Sequence, residues 1–485
     1  MSQIGAGLIV VVLSVIFIMN SPPLPAREYE PTWKSLDARP MPQWFLDAKF
    51  GIFIHWGVYS VPAWRKVTPG RYASYAEWYY ARVMFNEQNG GRAFHAGNYG
   101  PDFEYRDFAP LFKAELFEPD LWARLFERSG ARYVVLTSKH HDGYCLWPTK
   151  SPFKKGWNSM ETGPRRDLVG DLTRAVRARG LRMGLYYSIV EWESNRTHRT
   201  DTGYFIPERL VERHAIPEEK YVDAHMIPQL KELVTDYQPA LIFSDAGEWD
   251  RTAAEWKTID FLAWLYNNAP NRNEVVVNDR FGSDMPGKHG DYFSSEYEDS
   301  DAAGIAHPWE ESRGVGGSYG FNRDENIDDY NSSTELIHEL IDIVSRGGNL
   351  LLNVGPTADG RIPVIMQQRL VDMGRWLAVN GEGIYGTRPW KEAGSEQTGG
   401  GAVRFTRKKH DLYLICTAWP EQPLAIDNLS PGEETRVRLL GFDGPISWVA
   451  AAEGTVAINI PQVTPATLPC HHAWIFEITS VLGND

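Results

Sequence analysis

The chain has 485 residues, 43% of them hydrophobic and 23% charged, a globular composition that excludes wholesale disorder and leaves room for two or more domains. Its 49 Lys and Arg against 63 Asp and Glu leave a net charge of −14, which excludes a nucleic-acid binder dependent on clustered phosphate contacts. Aromatic residues reach 13%, with 18 Trp, a supply of flat apolar faces with polar edges that suits sugar rings as well as a core.

Residues 5–19 form one apolar run, shorter than the roughly 20 residues a spanning helix needs. Residues 1–26 therefore read as a secretory signal, with an uncleaved N-terminal membrane anchor as the alternative; either implies export. Asn195-Arg196-Thr197, Asn331-Ser332-Ser333 and Asn428-Leu429-Ser430 match the glycosylation acceptor pattern. Cys145, Cys416 and Cys470 are the only cysteines, too few for a disulfide framework and spaced for no zinc pattern; pairing of Cys416 with Cys470 is left open.

From Lys49 to Asn353 short apolar runs alternate with helical periods. The expected strands are Gly51–His55, Tyr133–Thr137, Met183–Tyr187, Ala240–Ser244, Val275–Asn278, Asp291–Phe293 and Leu350–Asn353. Leu168, Leu172, Ala175 and Val176 recur at helical spacing before Gly180, and Leu336, Leu340, Ile343 and Val344 do so after a capping box of Ser332 and Glu335. Apolar strands alternating with amphipathic helices mean a parallel sheet covered on both faces. Seven or eight such units predict a (β/α) barrel over 27–390, with a doubly wound open sheet as runner-up. Beyond a turn-rich stretch, Ala393–Gly401, short alternating runs predict an antiparallel β-sandwich over 391–485. Its expected strands are Val403–Phe405, Leu412–Ile415, Thr435–Leu439, Thr455–Ile460 and Trp474–Ile478.

Barrel chemistry sits at the C-terminal ends of the strands. Those ends carry His55-Trp56, Lys139-His140-His141-Asp142, Tyr187-Ser188, Ser244-Asp245, Asn278-Asp279-Arg280, Ser295-Glu296 and Asn353. The aromatic segment from Trp64 to Pro110 is long enough to wall a pocket above them.

In this order, His55-Trp-Gly, His140-His141-Asp-Gly-Tyr144, Gly184-Leu-Tyr-Tyr-Ser188, Phe243-Ser-Asp-Ala-Gly-Glu-Trp249, Val277-Asn-Asp-Arg280, Trp309-Glu310 and Gly347–Thr357 resemble the α-L-fucosidases of glycoside hydrolase family 29. The resemblance covers about residues 30–390. It implies a retaining, exo-acting hydrolysis of terminal α-L-fucose from glycans or glycoconjugates. A glycosidase for another α-linked deoxy sugar and an inactive sugar-binding protein on the same scaffold are the alternatives.

A retaining glycosidase needs two carboxyls about 5–5.5 Å apart. Asp245 ends a buried run that would aim it into the barrel mouth, and the resemblance makes it the nucleophile. Here Ala246 separates Asp245 from Gly247, where many relatives have Asp-Gly directly. Glu296, Glu298 and Glu310 lie in the stretch expected to supply the acid/base; the resemblance favours Glu296 over Glu310. It further implies that His55, Glu77, Trp78, His140, His141 and Arg280 bind fucose hydroxyls. Tyr187 is expected near the nucleophile and Trp64 in the same cavity. The sugar's methyl group needs an apolar wall, for which the same resemblance makes Phe53, Phe243 and Tyr319 candidates. Adjacent histidines on a strand end point in different directions and chelate poorly, so neither metal nor cofactor is expected. The partners expected are a fucosylated glycan and no nucleic acid; the oligomeric state is left open.

Overall fold

The computed structural model describes residues 28–70, 72–87, 89–194, 205–249, 251–297, 307–396, 401–451 and 454–483. The apolar run at 5–19, the acceptor triplet at Asn195 and Glu298 lie outside the described residues.

Eight parallel strands form the first part of the chain. They are β1 (Phe50–Ile54), β2 (Tyr133–Lys139), β3 (Arg182–Ser188), β4 (Leu241–Asp245), β5 (Val276–Val277), β6 (Phe293–Glu296), β7 (Trp309–Gly314) and β8 (Asn349–Val354). Their order is β5-β4-β3-β2-β1-β8-β7-β6, so β1 closes the barrel against β8 and the ladder stays open between β5 and β6. Phe53, Tyr133, Val135, Tyr186, Leu241, Phe243, Val276, Tyr292 and Leu351 pack together inside, with Phe45 and Ala48 closing the bottom. Gly51 belongs to this interior because the Tyr133 ring lies where a side chain would stand. The opposite strand faces pack on the surrounding helices in the larger core.

Both predicted helices form as their periodicity requires. Leu168–Ala178 buries Leu168, Leu172, Ala175 and Val176, and Asp167 caps it by accepting from the Gly170 N–H at 2.8 Å. Ser333–Ser345 starts with the expected reciprocal bonds, Glu335 N–H to Ser332 Oγ at 3.2 Å and Ser332 N–H to Glu335 Oε2 at 2.7 Å. Replacing such a cap by Ala costs about 1 kcal/mol.

One barrel strand escaped the sequence reading. β7 reads Trp-Glu-Glu-Ser-Arg-Gly, without an apolar run, yet most of it is buried. Its carboxyls find partners inside: Tyr133 donates to Glu310 Oε2, leaving Oε1 without a partner among the described residues, and Glu311 accepts from Arg313 Nε at 2.8 Å and from Ser295. Burial with partners is what allows charged residues in a barrel strand.

The C-terminal part is antiparallel. β9 (Arg388–Glu396), β10 (Ala402–Lys408), β11 (Asp411–Cys416), β13 (Arg436–Leu439) and β16 (Trp474–Thr479) form one sheet. β12 (Leu424–Ile426), β14 (Trp448–Ala450) and β15 (Val456–Ile458) form a second. In β13 Val437 and Leu439 turn inward while Arg436 and Arg438 turn out, the alternation of a half-buried strand. β9 runs on to Glu396, through the start of the stretch expected to be turn-rich, because it pairs with β10. The sandwich docks on the barrel: Trp376 Nε1 donates to Ala473 O at 2.9 Å, and Arg404 meets Asp342 at 2.9 Å. Cys145, Cys416 and Cys470 are free thiols.

Candidate active site

A cavity of about 540 Å³ opens where β1, β2, β3, β4 and β6 end. Its deep part is made of side chains that strand alternation points inward. Phe53 in β1 and Phe243 in β4 stand 5.1 Å apart between ring centres, and Tyr319 is 6.2 Å from Phe53. This is a continuous apolar wall. His55 follows β1, with Nδ1 2.7 Å from Asn353 Oδ1. Burial holds its pKa down at about 4 against the raising influence of Asn353 and Asp245. Burial, with His141 and His55 adjacent, likewise holds His140 well below its ordinary range. Both are therefore neutral rings able to donate and accept. Nδ1 of His140 is buried and has no hydrogen-bond partner among the described residues.

His141 donates from Nδ1 to Ser188 Oγ at 2.6 Å, since the Ser188 proton is given to Val190 O. That fixes its Nε2 toward Asp245 Oδ2, 3.5 Å away. The strand end is braced from behind. Lys139 Nζ and His225 Nε2 each reach Glu191 at 2.8 Å, and the adjoining Trp192 N–H donates to His141 O at 2.9 Å.

Asp245 ends β4 with both oxygens engaged. Tyr186 donates to Oδ2 at 2.7 Å, while the Ala246 N–H, at 2.9 Å, and Arg280 Nη1, at 3.3 Å, reach Oδ1. Burial raises the Asp245 pKa, but His141, Arg280 and Tyr186 outweigh it and leave the carboxyl below its ordinary range. Ala246 lies in the left-handed region at φ 64°, directly after Asp245, which keeps its place in the strand opposite Ser188. Glu296 ends β6. Tyr75 donates to its Oε1 at 2.6 Å, and Arg280 Nη1 lies 3.5 Å from Oε2. Burial raises its pKa, Arg280 and Tyr75 oppose, Asp245 adds, and the net direction is up. One guanidinium nitrogen thus stands between the two carboxyls. Their facing oxygens are no farther apart than the sum of those two contacts, a limit that admits the retaining separation. Arg280 itself is held by Ser294 Oγ, 2.9 Å from Nε.

Of the long loop, Tyr72, Tyr75, Glu77, Trp78 and Arg82 line the cavity. Glu77 Oε2 accepts the Gly320 N–H at 2.8 Å, and burial pushes its pKa up to about 7. The Arg82 guanidinium lies 4.1 Å over the Trp78 ring.

Two expected residues fall elsewhere. Trp64 stacks on Phe94 at 4.1 Å, within the loop's own aromatic core. Tyr187 points out of the barrel, donates to Gln229 Oε1 at 2.9 Å and carries Lys139 over its ring. Its neighbour Tyr186 is the tyrosine at Asp245. Glu310 lies at the barrel floor with Tyr133, away from the cavity. Sequence reasoning also passed over Glu248, which lines the cavity three residues after Asp245. Adjacency to a strand-end carboxylate was the one signal it offered. Among the described residues no group of three His, Cys, Asp or Glu side chains is placed to hold a metal ion.

Comparison with known proteins identifies the family. Residues 16–382 match the alpha-L-fucosidase family, and residues 396–479 match the alpha-L-fucosidase C-terminal domain. The human tissue alpha-L-fucosidase is 40% identical over 460 residues, covering 94% of this chain and 93% of that protein. An alpha-L-fucosidase of Branchiostoma floridae is 40% identical over 461 residues, covering 94% and 96%. The crystal structure of Thermotoga maritima alpha-fucosidase with a mechanism-based inhibitor superposes with a TM-score of 0.79 at 38% identity, over 93% of this chain and 100% of that one. Matched in sequence over most of its length and in fold over 93% of it, the chain belongs to the α-L-fucosidase family, glycoside hydrolase family 29.

Proposed function

We propose that the protein is a retaining exo-α-L-fucosidase that removes terminal α-L-fucose from glycans by double displacement. The observation that carries this reading is Arg280 Nη1 between Asp245 and Glu296, with opposite pKa directions imposed on the two carboxyls. Asp245, kept ionised, attacks the anomeric carbon. Glu296, its pKa raised, gives its proton to the departing glycosidic oxygen. The bond from Asp245 to the sugar is then broken by water, whose proton returns to Glu296. His55, His140, His141, Glu77 and Trp78 take the sugar hydroxyls, and Phe53, Phe243 and Tyr319 face its methyl group. The closed floor of the barrel supports exo action, because a chain cannot continue past the deep end. Nothing in this scheme calls for a metal or a cofactor.

Export is the location that the N-terminal apolar run supports. Among the described residues no helix is long and apolar enough to cross a membrane.

The deciding experiment is hydrolysis of an aryl α-L-fucoside beside other aryl glycosides, with the product anomer followed by NMR. Selective cleavage with α-L-fucose released first is expected. Release of β-L-fucose first would overturn the double displacement, and cleavage of none of the glycosides would overturn the enzymatic reading.

A further inference from the structure

The hydrolytic scheme leaves Glu248 without a task. On the loop that follows β4, it is the third carboxyl, after Asp245 and Glu296, around Arg280. Its Oε1 lies 4.0 Å from the same Arg280 Nη1 that meets Asp245 and Glu296. Its Oε2 is buried and has no hydrogen-bond partner among the described residues. Burial, opposed by Arg280 and assisted by Asp245, pushes its pKa up to about 8, so the group is an acid at neutral pH. A carboxylic acid offers one donor and one acceptor, the match for a hydroxyl. A buried polar atom without a partner is costly, and such atoms in native proteins are few.

Its place in the cavity indicates which hydroxyl. The deep end belongs to His55, His140, Phe53 and Phe243, each almost wholly buried. Glu248 stands level with the catalytic pair, above that deep end: its side chain is 18% exposed, beside 16% for Asp245 and 17% for Glu296. Trp249 adjoins it, half-buried, and Tyr72, 38% exposed, donates to the backbone carbonyl of Glu296 at 3.2 Å. Aromatic rings thus stand at the mouth on the loop of the nucleophile and beside the acid. An enzyme that removes a terminal sugar buries that sugar and leaves the departing part at the mouth.

We infer that Glu248, Trp249 and Tyr72 form a subsite for the leaving group, in which the Glu248 carboxyl hydrogen-bonds a hydroxyl of the sugar that carried the fucose. The inference rests on the fucosidase reading and specifies its substrate: a neutral pyranose aglycone. The ionised Asp245 offsets the Arg280 guanidinium, and the protonated Glu248 offers no charge to pair with an anionic one.

Glu248→Ala and Glu248→Gln are compared with the intact enzyme on an α-L-fucosyl-galactoside and on an aryl α-L-fucoside, whose leaving group has no hydroxyl to offer. Inhibition by free L-fucose reports the integrity of the deep site. For Glu248→Ala, kcat/KM on the disaccharide should fall about 30-fold and on the aryl fucoside about threefold, the difference being one hydrogen bond to a buried group. Glu248→Gln keeps a donor and an acceptor and should lie between. Equal losses on both substrates would overturn the subsite and place Glu248 on the fucose or the catalytic pair. If Glu248→Ala fails to fold, the same two-substrate ratio for Glu248→Gln decides, and an unchanged ratio overturns the proposal. Failure of the intact enzyme on both substrates would instead sink the fucosidase reading, so the two failures are distinguishable.

Discussion

The hydroxyl of Tyr186 donates to Asp245 Oδ2 at 2.7 Å, whereas that of Tyr187, the next residue along β3, donates to Gln229 on the opposite side of the strand. The two rings have the same chemistry and opposite surroundings. Tyr186→Phe should lower kcat/KM by about 10- to 100-fold, the worth of a hydrogen bond to a charged group. It should also raise the pH below which activity is lost, because Asp245 loses one of the groups that hold its pKa down. Tyr187→Phe strands the Gln229 oxygen in the core and should cost about 1–3 kcal/mol of stability with kcat retained. Kinetics and thermal melting of both variants check the pair; equal activity losses would contradict the assignment.

The carboxyl pair sets a pH window. Asp245 must be ionised and is held low, so activity should persist below the ordinary carboxylate range. Glu296 must be protonated and is held high, so kcat/KM should fall as pH rises through its raised pKa. Glu296→Ala should abolish that alkaline limb. On an aryl fucoside with a good leaving group, formation of the intermediate should suffer less than on a sugar aglycone. A profile of the variant that keeps the alkaline limb would assign the acid to another residue.

Asp245→Gly removes the attacking oxygen and leaves the groups that bind the sugar. Turnover should drop by several powers of ten. Azide can then enter the space beneath the anomeric carbon and displace the leaving group once, with inversion. The expected product is β-L-fucosyl azide, identified by NMR. Near-normal turnover in this variant would contradict the covalent route.

Glu310 provides the contrasting carboxyl. Burial pushes its pKa up to about 8, so the folded protein keeps the proton that an unfolded glutamate releases near pH 4.3. Its raised folded pKa costs nothing below pH about 4.3, and stability falls as pH climbs from there to about 8. Glu310→Gln cannot ionise. Its melting temperature should gain on the intact protein by several degrees across that window, on the order of a few kcal/mol. Activity should survive, since the side chain lies at the barrel floor. Loss of activity in a folded Glu310→Gln would reopen the choice between Glu310 and Glu296.

The order of elements was legible because apolar runs and helical periods are local. Seven of the eight barrel strands, two helix caps and the switch to alternating strands after residue 390 follow from neighbours in sequence. So does the gathering of His55, His140, His141, Asp245, Arg280 and Glu296, since parallel strands of one barrel all end on one face. The phase of each strand did not follow. A run such as Leu185-Tyr186-Tyr187 is buried on both sides and carries no mark of which residue faces inward. That choice is made by pairing with β2, where Tyr186 sits opposite Thr137, Tyr187 opposite Lys139, and the register shifts between them. β7 stayed hidden for the complementary reason: its carboxyl residues are held by Tyr133, Ser295 and Arg313, partners distant in sequence or absent from any apolar pattern. Trp64 and Glu248 close the list. Whether a loop aromatic packs on Phe94 or lines a cavity, and whether a carboxyl after Asp245 turns to Arg280 or to water, is decided by what the rest of the chain brings beside it, which only the tertiary structure supplies.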